Sequence, residues 1–141
     1  MHTPDGWDLT GKKAVISADR RGWTKFFSSA LAEAGADVAI IGSENSDMED
    51  ASNKASDYGH RVITQTTNLI SKVSIDKSIQ NINDAFGTID ILVNNAKANF
   101  GKRFEEVTES EFDTLMDFNL KSMFLTCQSV GQTMLNNKSG R

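Results

Sequence analysis

The residues with the clearest potential for chemistry lie at positions 17–24 (SADRRGWT), between a short apolar segment and an amphipathic one. A loop that leads from a strand into a helix presents unpaired backbone N–H groups and the positive end of the helix dipole, and both attract phosphate. Gly22 lacks a side chain, so a phosphate can approach its backbone closely. The loop is a candidate pyrophosphate site, and cofactor binding and a structural relic are both open interpretations.

Metal and thiol chemistry find little support in the composition. The sequence has one cysteine, Cys127, and two histidines, His2 and His60. These residues cannot form an internal disulfide or a cluster of zinc ligands, so no metal site is predicted. Cys127 falls in an apolar helical pattern, which predicts a buried structural thiol rather than a nucleophile.

Short apolar segments alternate with helical segments over the first two thirds of the chain. The patterns predict strands at 13–17, 37–41, 61–66 and 89–93, and helices at 24–34, 48–58 and 74–86, the last with Ser74 as N-cap and Gly87 as stop. Right-handed crossovers place such helices on both faces of a parallel sheet. The chain is therefore predicted to form an α/β, Rossmann-type doubly wound sheet with strand order 3-2-1-4, ending after the helix that follows strand four.

A longer helical segment follows the fourth strand. Thr108 and Glu111 have the spacing of a capping box. Beyond them, apolar side chains recur at helical spacing, namely Phe112, Leu115, Met116, Met123, Phe124, Cys127, Val130 and Met134. This stripe predicts a core face or an oligomer interface rather than a ligand site.

Four strings relate these elements to a known family: LTGKKAVIS, ALAEAGADVAI, FGTIDILVNNA and EVTESEFDTLMDFNLKS. Together they resemble the short-chain dehydrogenase/reductases over nearly the whole chain, with Asn94-Asn95-Ala96 after a strand as the strongest element. The resemblance implies an NAD(P)-dependent oxidoreductase that interconverts an alcohol and a carbonyl.

The resemblance also implies which residues form the site. Those expected to contact the dinucleotide are Ser17, Arg21, Gly22, Trp23, Ser43, Asn68, Asn95 and Ala96. Asn119 matches the family's asparagine that helps to hold a water in the proton relay. Ser43 stands where a carboxylate would bind the ribose hydroxyls, and a basic residue before the middle glycine resembles the NADP-preferring pattern. Arg21 therefore favours NADP over NAD, with a solvated arginine as the alternative.

Four positions depart from the family's pattern. Ala18 and Thr24 replace glycines. We expect the Cβ of Ala18 to strain a turn that needs positive φ. We expect the bulk of Thr24 to conflict with the close approach of helix and strand. Asn68 replaces an aspartate, and Lys97 replaces a glycine and is expected to turn to solvent. These changes support an alternative function, a catalytically silent Rossmann binding or regulatory module.

The family's catalytic serine and Tyr-x-x-x-Lys pattern follow the fifth strand and are absent from this sequence, whose one tyrosine is Tyr58. We therefore expect residues 1–141 to form a partial NAD(P)-binding domain that is inactive alone. Residues 1–9 are expected to be a polar leader. The substrate, a small carbonyl or alcohol, is not specified further.

The composition narrows the range of partners. The formal charge of −4 has acids and bases interspersed, which argues against binding to nucleic acid or anionic membranes. No apolar run has the length of a membrane span, and no signal peptide is recognisable, so cytoplasm is the expected location. A homo-oligomer is expected through the long helical stripe.

Overall fold

The computed structural model describes residues 7–18, 22–44 and 47–141. Most of the leader predicted for residues 1–9, and the candidate cofactor residue Arg21, lie outside these ranges.

The centre of the fold is a four-stranded parallel sheet. Its strands are β1 (Lys13–Ser17), β2 (Asp37–Gly42), β3 (Val62–Thr66) and β4 (Ile91–Asn94). They lie in the order β3-β2-β1-β4, which confirms the predicted topology. In the register of the sheet, Val15 of β1 is aligned with Ala39 of β2 and with Leu92 of β4.

Helices cover both faces of the sheet. They are α1 (Thr24–Glu33), α2 (Met48–Ser56), α3 (Lys72–Phe86), α4 (Glu109–Met116) and α5 (Ser122–Asn137). Successive side chains of a strand point to opposite faces. Ile16 therefore belongs to the core beneath α1 and α2, whereas Val15 belongs to the core beneath α3 and α5. No helix within the described residues combines the length and apolar character of a membrane span.

The start of α3 differs from the sequence interpretation. Ser71, not Ser74, is the N-cap, and its Oγ accepts the Ser74 N–H at 3.4 Å. The Oγ of Ser74 instead accepts the Asn68 N–H at 2.9 Å. The helix thus begins one turn earlier than predicted. Ser71 and Ser74 are three residues apart, and the helical periodicity of the sequence fits either serine as the N-cap. The predicted stop is confirmed, since Gly87 has φ of 81° in a left-handed cap.

A π-helical turn, Asp117–Lys121, joins α4 to α5. The sequence interpretation treated this region as one continuous stripe. A π turn adds a residue to the helical repeat and so changes which face the following side chains occupy. Val130 lies in the core, whereas Phe112, before the turn, and Met123 and Phe124, after it, are 52%, 43% and 60% exposed.

The prediction of a buried thiol is wrong. Cys127 lies on the exposed side of α5. Its Sγ is 3.2 Å from the Asn94 carboxamide nitrogen, which donates a hydrogen bond from the end of β4.

Two glycines offer a test of how tightly the helix ends pack. Gly35 after α1 has φ of +105°, and a Cβ there would lie 2.9 Å from the Thr10 backbone nitrogen. Gly87 has φ of +81°, and a Cβ there would meet nothing within 4 Å in the part of the chain that the structure describes. We expect Gly87→Ala to lower the free energy of unfolding by about 1 kcal/mol through backbone strain alone. Gly35→Ala should lower it by about 3 kcal/mol, since overpacking adds to the strain. Urea unfolding of both variants measures the difference, and equal losses would contradict the close packing against Thr10.

Candidate functional site

The candidate site lies where the direction of the sheet's connections reverses. From β1 the chain passes to β2 and β3 on one side, whereas β4 pairs with β1 on the other side. In open parallel sheets such a switch point leaves a crevice outside the carboxyl ends of the two central strands. Ser17 and Asn94 end β1 and β4 side by side, in register with one another. The first turn of α1 follows on the same edge.

The loop before α1 has the geometry of an anion site in its described part. Gly22 has φ of +77°, and a Cβ built there would meet no atom of the described residues within 4 Å. Trp23, the residue before the helix, provides no side-chain cap, and the first turn carries no acidic residue. An anion at this helix end would therefore meet backbone N–H groups and no opposing carboxylate from the first turn.

The strain expected at Ala18 is absent. Ala18 is not among the described residues with positive φ, and its N–H donates to the Ile41 carbonyl at 2.7 Å. It continues the backbone pairing between β1 and β2. The left-handed conformation falls at Gly22 instead, so the expectation for Ala18 is wrong.

Ser17 joins the two central strands at their carboxyl ends. Its Oγ accepts the backbone N–H groups of Asn95 at 2.9 Å and Ala96 at 3.1 Å. The side chain is almost completely buried, at 2% exposure. Three residues predicted to contact the cofactor therefore lie together, and their mutual hydrogen bonds hold the turn after β4 against β1.

Thr24 also takes part in this arrangement. It is fully buried, and its Oγ1 accepts a hydrogen bond from the Asn95 carboxamide nitrogen at 3.1 Å. The bulk expected to conflict with close packing is accommodated, because the hydroxyl meets a polar partner. The sequence indicated that both residues are polar and lie at the ends of elements. It did not indicate that the two side chains come within hydrogen-bonding distance.

Asn119 lies in the π turn and holds the loop after β4. Its carboxamide Oδ1 accepts the Ala98 N–H at 2.7 Å, and its Nδ2 donates to the Ala98 carbonyl at 2.8 Å. One side chain thus satisfies both backbone groups of Ala98. Lys97, beside it, is exposed as expected.

A charged contact braces the same loop farther along. Lys102 donates to Glu111 Oε1 at 2.5 Å, while Glu111 Oε2 accepts the Thr108 N–H and hydroxyl, each at 2.9 Å. The predicted capping box is confirmed. These bonds, that from Lys102 foremost, lower the pKa of Glu111 to about 2, because they favour the ionised carboxylate.

The remaining predicted contacts lie along the same edge of the sheet. Ser43 follows β2 and is exposed, and Asn68 follows β3 with its Oδ1 accepting the Ile70 N–H at 3.2 Å. Trp23 is 54% exposed, and its ring lies 5.9 Å from that of Phe26. The sequence singled out Trp23 but not Phe26. All the described candidates thus follow carboxyl ends of strands or adjoin α1, whereas Asn119 reaches the edge through Ala98.

Comparisons with known proteins agree with this architecture. The family model described as short chain dehydrogenase matches residues 12–141. The (2S)-[(R)-hydroxy(phenyl)methyl]succinyl-CoA dehydrogenase subunit BbsD of Thauera aromatica is 32% identical, over 94% of this chain and 54% of that protein. The 3-oxoacyl-[acyl-carrier-protein] reductase FabG of Vibrio cholerae is 32% identical, over 95% of this chain and 54% of that protein.

A solved structure shows the same relation. A short-chain type dehydrogenase/reductase from Mycobacterium marinum superimposes with a TM-score of 0.85 at 25% identity, over 97% of this chain and 56% of the other. The chain spans about half the length of the relatives it matches.

The Glu111 brace has a testable pH dependence. Its pKa in the folded chain is about 2, below the ordinary value of 4.5, so the unfolded state binds more protons between these values. The brace should stabilise the fold fully above pH 4.5 and lose its contribution as the pH falls toward 2. Urea unfolding from pH 6 to 2.5 measures this for wild type and for Glu111→Gln, which keeps the cap but does not titrate. The same pH dependence in both chains would contradict the assignment.

Proposed function

Because the chain belongs to the short-chain dehydrogenase family, we propose that it binds a nicotinamide dinucleotide and forms the cofactor-binding part of an oxidoreductase that interconverts an alcohol and a carbonyl. The observation that carries the proposal is the positive φ of Gly22 at the start of α1, beside the switch point between β1 and β4. A phosphate at this position would meet the N-terminus of a helix, and it could approach the backbone of Gly22 closely because glycine has no Cβ.

The residues along the carboxyl edge suit the parts of such a cofactor. Gly22 and the first turn of α1 would hold the pyrophosphate, with Trp23 beside it. Ser43 and Asn68, after β2 and β3, would contact the adenosine half, and Asn95 and Ala96, after β4, the nicotinamide half. When bound, the nicotinamide would supply hydride transfer.

Proton transfer in this proposal involves Asn119. By resemblance, this residue helps to hold a water of the proton relay, and its side chain holds Ala98 by two hydrogen bonds. Tyr58 is unsuited as the acid, because it follows α2 and precedes β3, which places it at the amino edge of the sheet. Because these residues supply no suitable tyrosine acid, we propose that this chain alone is inactive, and that the reaction its cofactor site would serve converts a small carbonyl or alcohol.

The alternative, a silent binding or regulatory module, rested on four unusual positions. Two of them fit the fold without strain, since Ala18 continues the pairing of β1 with β2 and Thr24 hydrogen bonds to Asn95. Asn68 retains an amide that can donate and accept, and Lys97 is exposed. We therefore favour the enzyme function over this alternative.

NADP is the proposed cofactor, on the strength of Arg21 before Gly22. Opposing charges lie at the end of β2, where Glu44 and Glu49 line an open groove together with Met48 and Thr66. Carboxylates near a 2′-phosphate would weaken its binding, and an arginine would strengthen it. The relative affinity for NADPH and NADH measures whether the arginine or the carboxylates have the larger effect on binding of the 2′-phosphate.

Fluorescence titration of the chain with NADPH and NADH tests the phosphate loop. Asn and Asp both tolerate positive φ better than other residues and are similar in size, so Gly22→Asn and Gly22→Asp differ mainly in charge. We expect Gly22→Asn to weaken binding and Gly22→Asp to weaken it about tenfold more, since a carboxylate would face the pyrophosphate. Wild type should bind NADPH more tightly than NADH. A folded wild type that binds neither nucleotide, or equal binding by the two variants, would contradict the proposal.

We also propose a homo-oligomer through the apolar surface of α4 and α5, and a cytoplasmic location. Phe112, Met116, Met123 and Phe124 are 52%, 38%, 43% and 60% exposed on these helices. Exposed apolar surface of this kind is typical of protein interfaces.

The cytoplasmic location stays a prediction from the sequence.

Light scattering with size-exclusion chromatography tests the oligomer. We expect a multiple of the 15.5 kDa chain mass, and a shift toward monomer in Phe124→Glu, because a charge in the interface would be desolvated. Val73→Glu is the matched control, as Val73 is an apolar residue 80% exposed on α3. A monomeric wild type, or an equal shift in both variants, would refute the proposed surface.

A further inference from the structure

One hydrogen bond joins the two sides of the crevice through side chains. The Asn95 carboxamide nitrogen donates to Thr24 Oγ1 at 3.1 Å, and Thr24 is fully buried. Thr24 is the first residue of α1, and Asn95 is the first residue after β4. The bond therefore connects the helix end of the phosphate loop to the segment that follows β4.

The segment after β4 depends on side-chain partners for its position. Its Asn95 and Ala96 N–H groups donate to Ser17 Oγ, and its Ala98 N–H donates to Asn119 Oδ1. These three backbone groups are held by hydroxyl and amide oxygens rather than by another strand. Removing a bond that orients Asn95 should therefore alter the segment itself.

We propose that Thr24 is a positioning residue, which fixes segment 95–98 relative to the first turn of α1. This inference rests on the proposed function. The phosphates of a dinucleotide at Gly22 and a nicotinamide at Asn95 and Ala96 would then be held at a set separation. Thr24 would act through Asn95 and need not touch the cofactor.

The type of residue suits this role. A threonine is branched at Cβ, so its χ1 is restricted and its hydroxyl is held in one direction. The bond is partly shielded from water, since Thr24 is fully buried and Asn95 is half-buried, and this makes its loss more costly than that of an exposed bond. Serine keeps the hydroxyl at this position, whereas valine keeps the shape and removes the acceptor.

The first experiment compares NADH with ADP-ribose, which lacks the nicotinamide. We expect Thr24→Val to weaken NADH binding by about five- to tenfold, the effect of losing one partly buried hydrogen bond. ADP-ribose affinity should change by less than about twofold on the same reasoning, and Thr24→Ser should restore NADH binding. Thr126→Val is the matched control, because Thr126 is a buried threonine whose hydroxyl bonds to the Ser122 carbonyl within α5. Equal losses for both nucleotides would overturn the proposal.

The second experiment needs no nucleotide. Amide hydrogen exchange of the unliganded chain should become faster at Asn95, Ala96 and Ala98 in Thr24→Val, but not in Thr126→Val. Asn95→Ala removes the donor of the same bond and should produce the same increase at Ala96 and Ala98, which provides the test if Thr24→Val does not fold. Unchanged exchange at these amides would overturn the positioning role. A wild type that binds none of NADPH, NADH and ADP-ribose would refute the proposed function instead, and the exchange result would still decide whether Thr24 holds the segment.

Discussion

The candidate site depends on the carboxyl ends of β1 and β4 lying together. The Ser17 hydroxyl holds the segment after β4 at the end of β1. Beyond the last paired residues of the two strands, the backbone N–H groups of Asn95 and Ala96 have left the regular ladder, and both donate to Ser17 Oγ. Leaving a buried N–H unpaired costs about 1–3 kcal/mol. The Ser17 side chain therefore provides a partner for both N–H groups where the chain leaves β4.

The position of α1 follows from a different feature, the small residues on one side of the sheet. Ala32 of α1 and Ala51 and Ala55 of α2 are fully buried, and Ser28 Oγ of α1 donates to the Ala51 carbonyl at 3.0 Å. Small side chains let the two helices approach one another closely and bring backbone within reach of a hydroxyl. The opposite face is filled by the larger side chains of α3, among them Ile75 and Ile82. The helix that begins at the candidate phosphate site thus packs closely against its neighbour α2.

The region from α4 to α5 relates the outer surface to the site. The π turn between them contains Asn119, and π turns are frequent at functional positions because they redirect a side chain without ending the helix. Here the redirected carboxamide reaches the Ala98 backbone, while Glu111 holds Lys102 at the other end of the same loop. Phe112 before this turn and Phe124 after it are both exposed on the outside. The π turn therefore contributes Asn119 to the proposed relay and lies between the two helices of the proposed interface.

The sequence by itself determined the alternation of elements, the strand order and most element ends. Short apolar runs bounded by glycine are local signals, and the handedness of crossovers leaves few ways to arrange them. It also placed the predicted site residues at strand ends, as the structure does for Ser17, Ser43, Asn68 and Asn95. What only the tertiary structure decided depends on distances between residues far apart in the chain. The bond between Thr24 and Asn95 is one such feature, since neither residue's local sequence specifies the other as its partner. The exposure of Cys127 is another, because periodicity shows which residues share a face of a helix but not whether that face packs on the sheet or meets solvent.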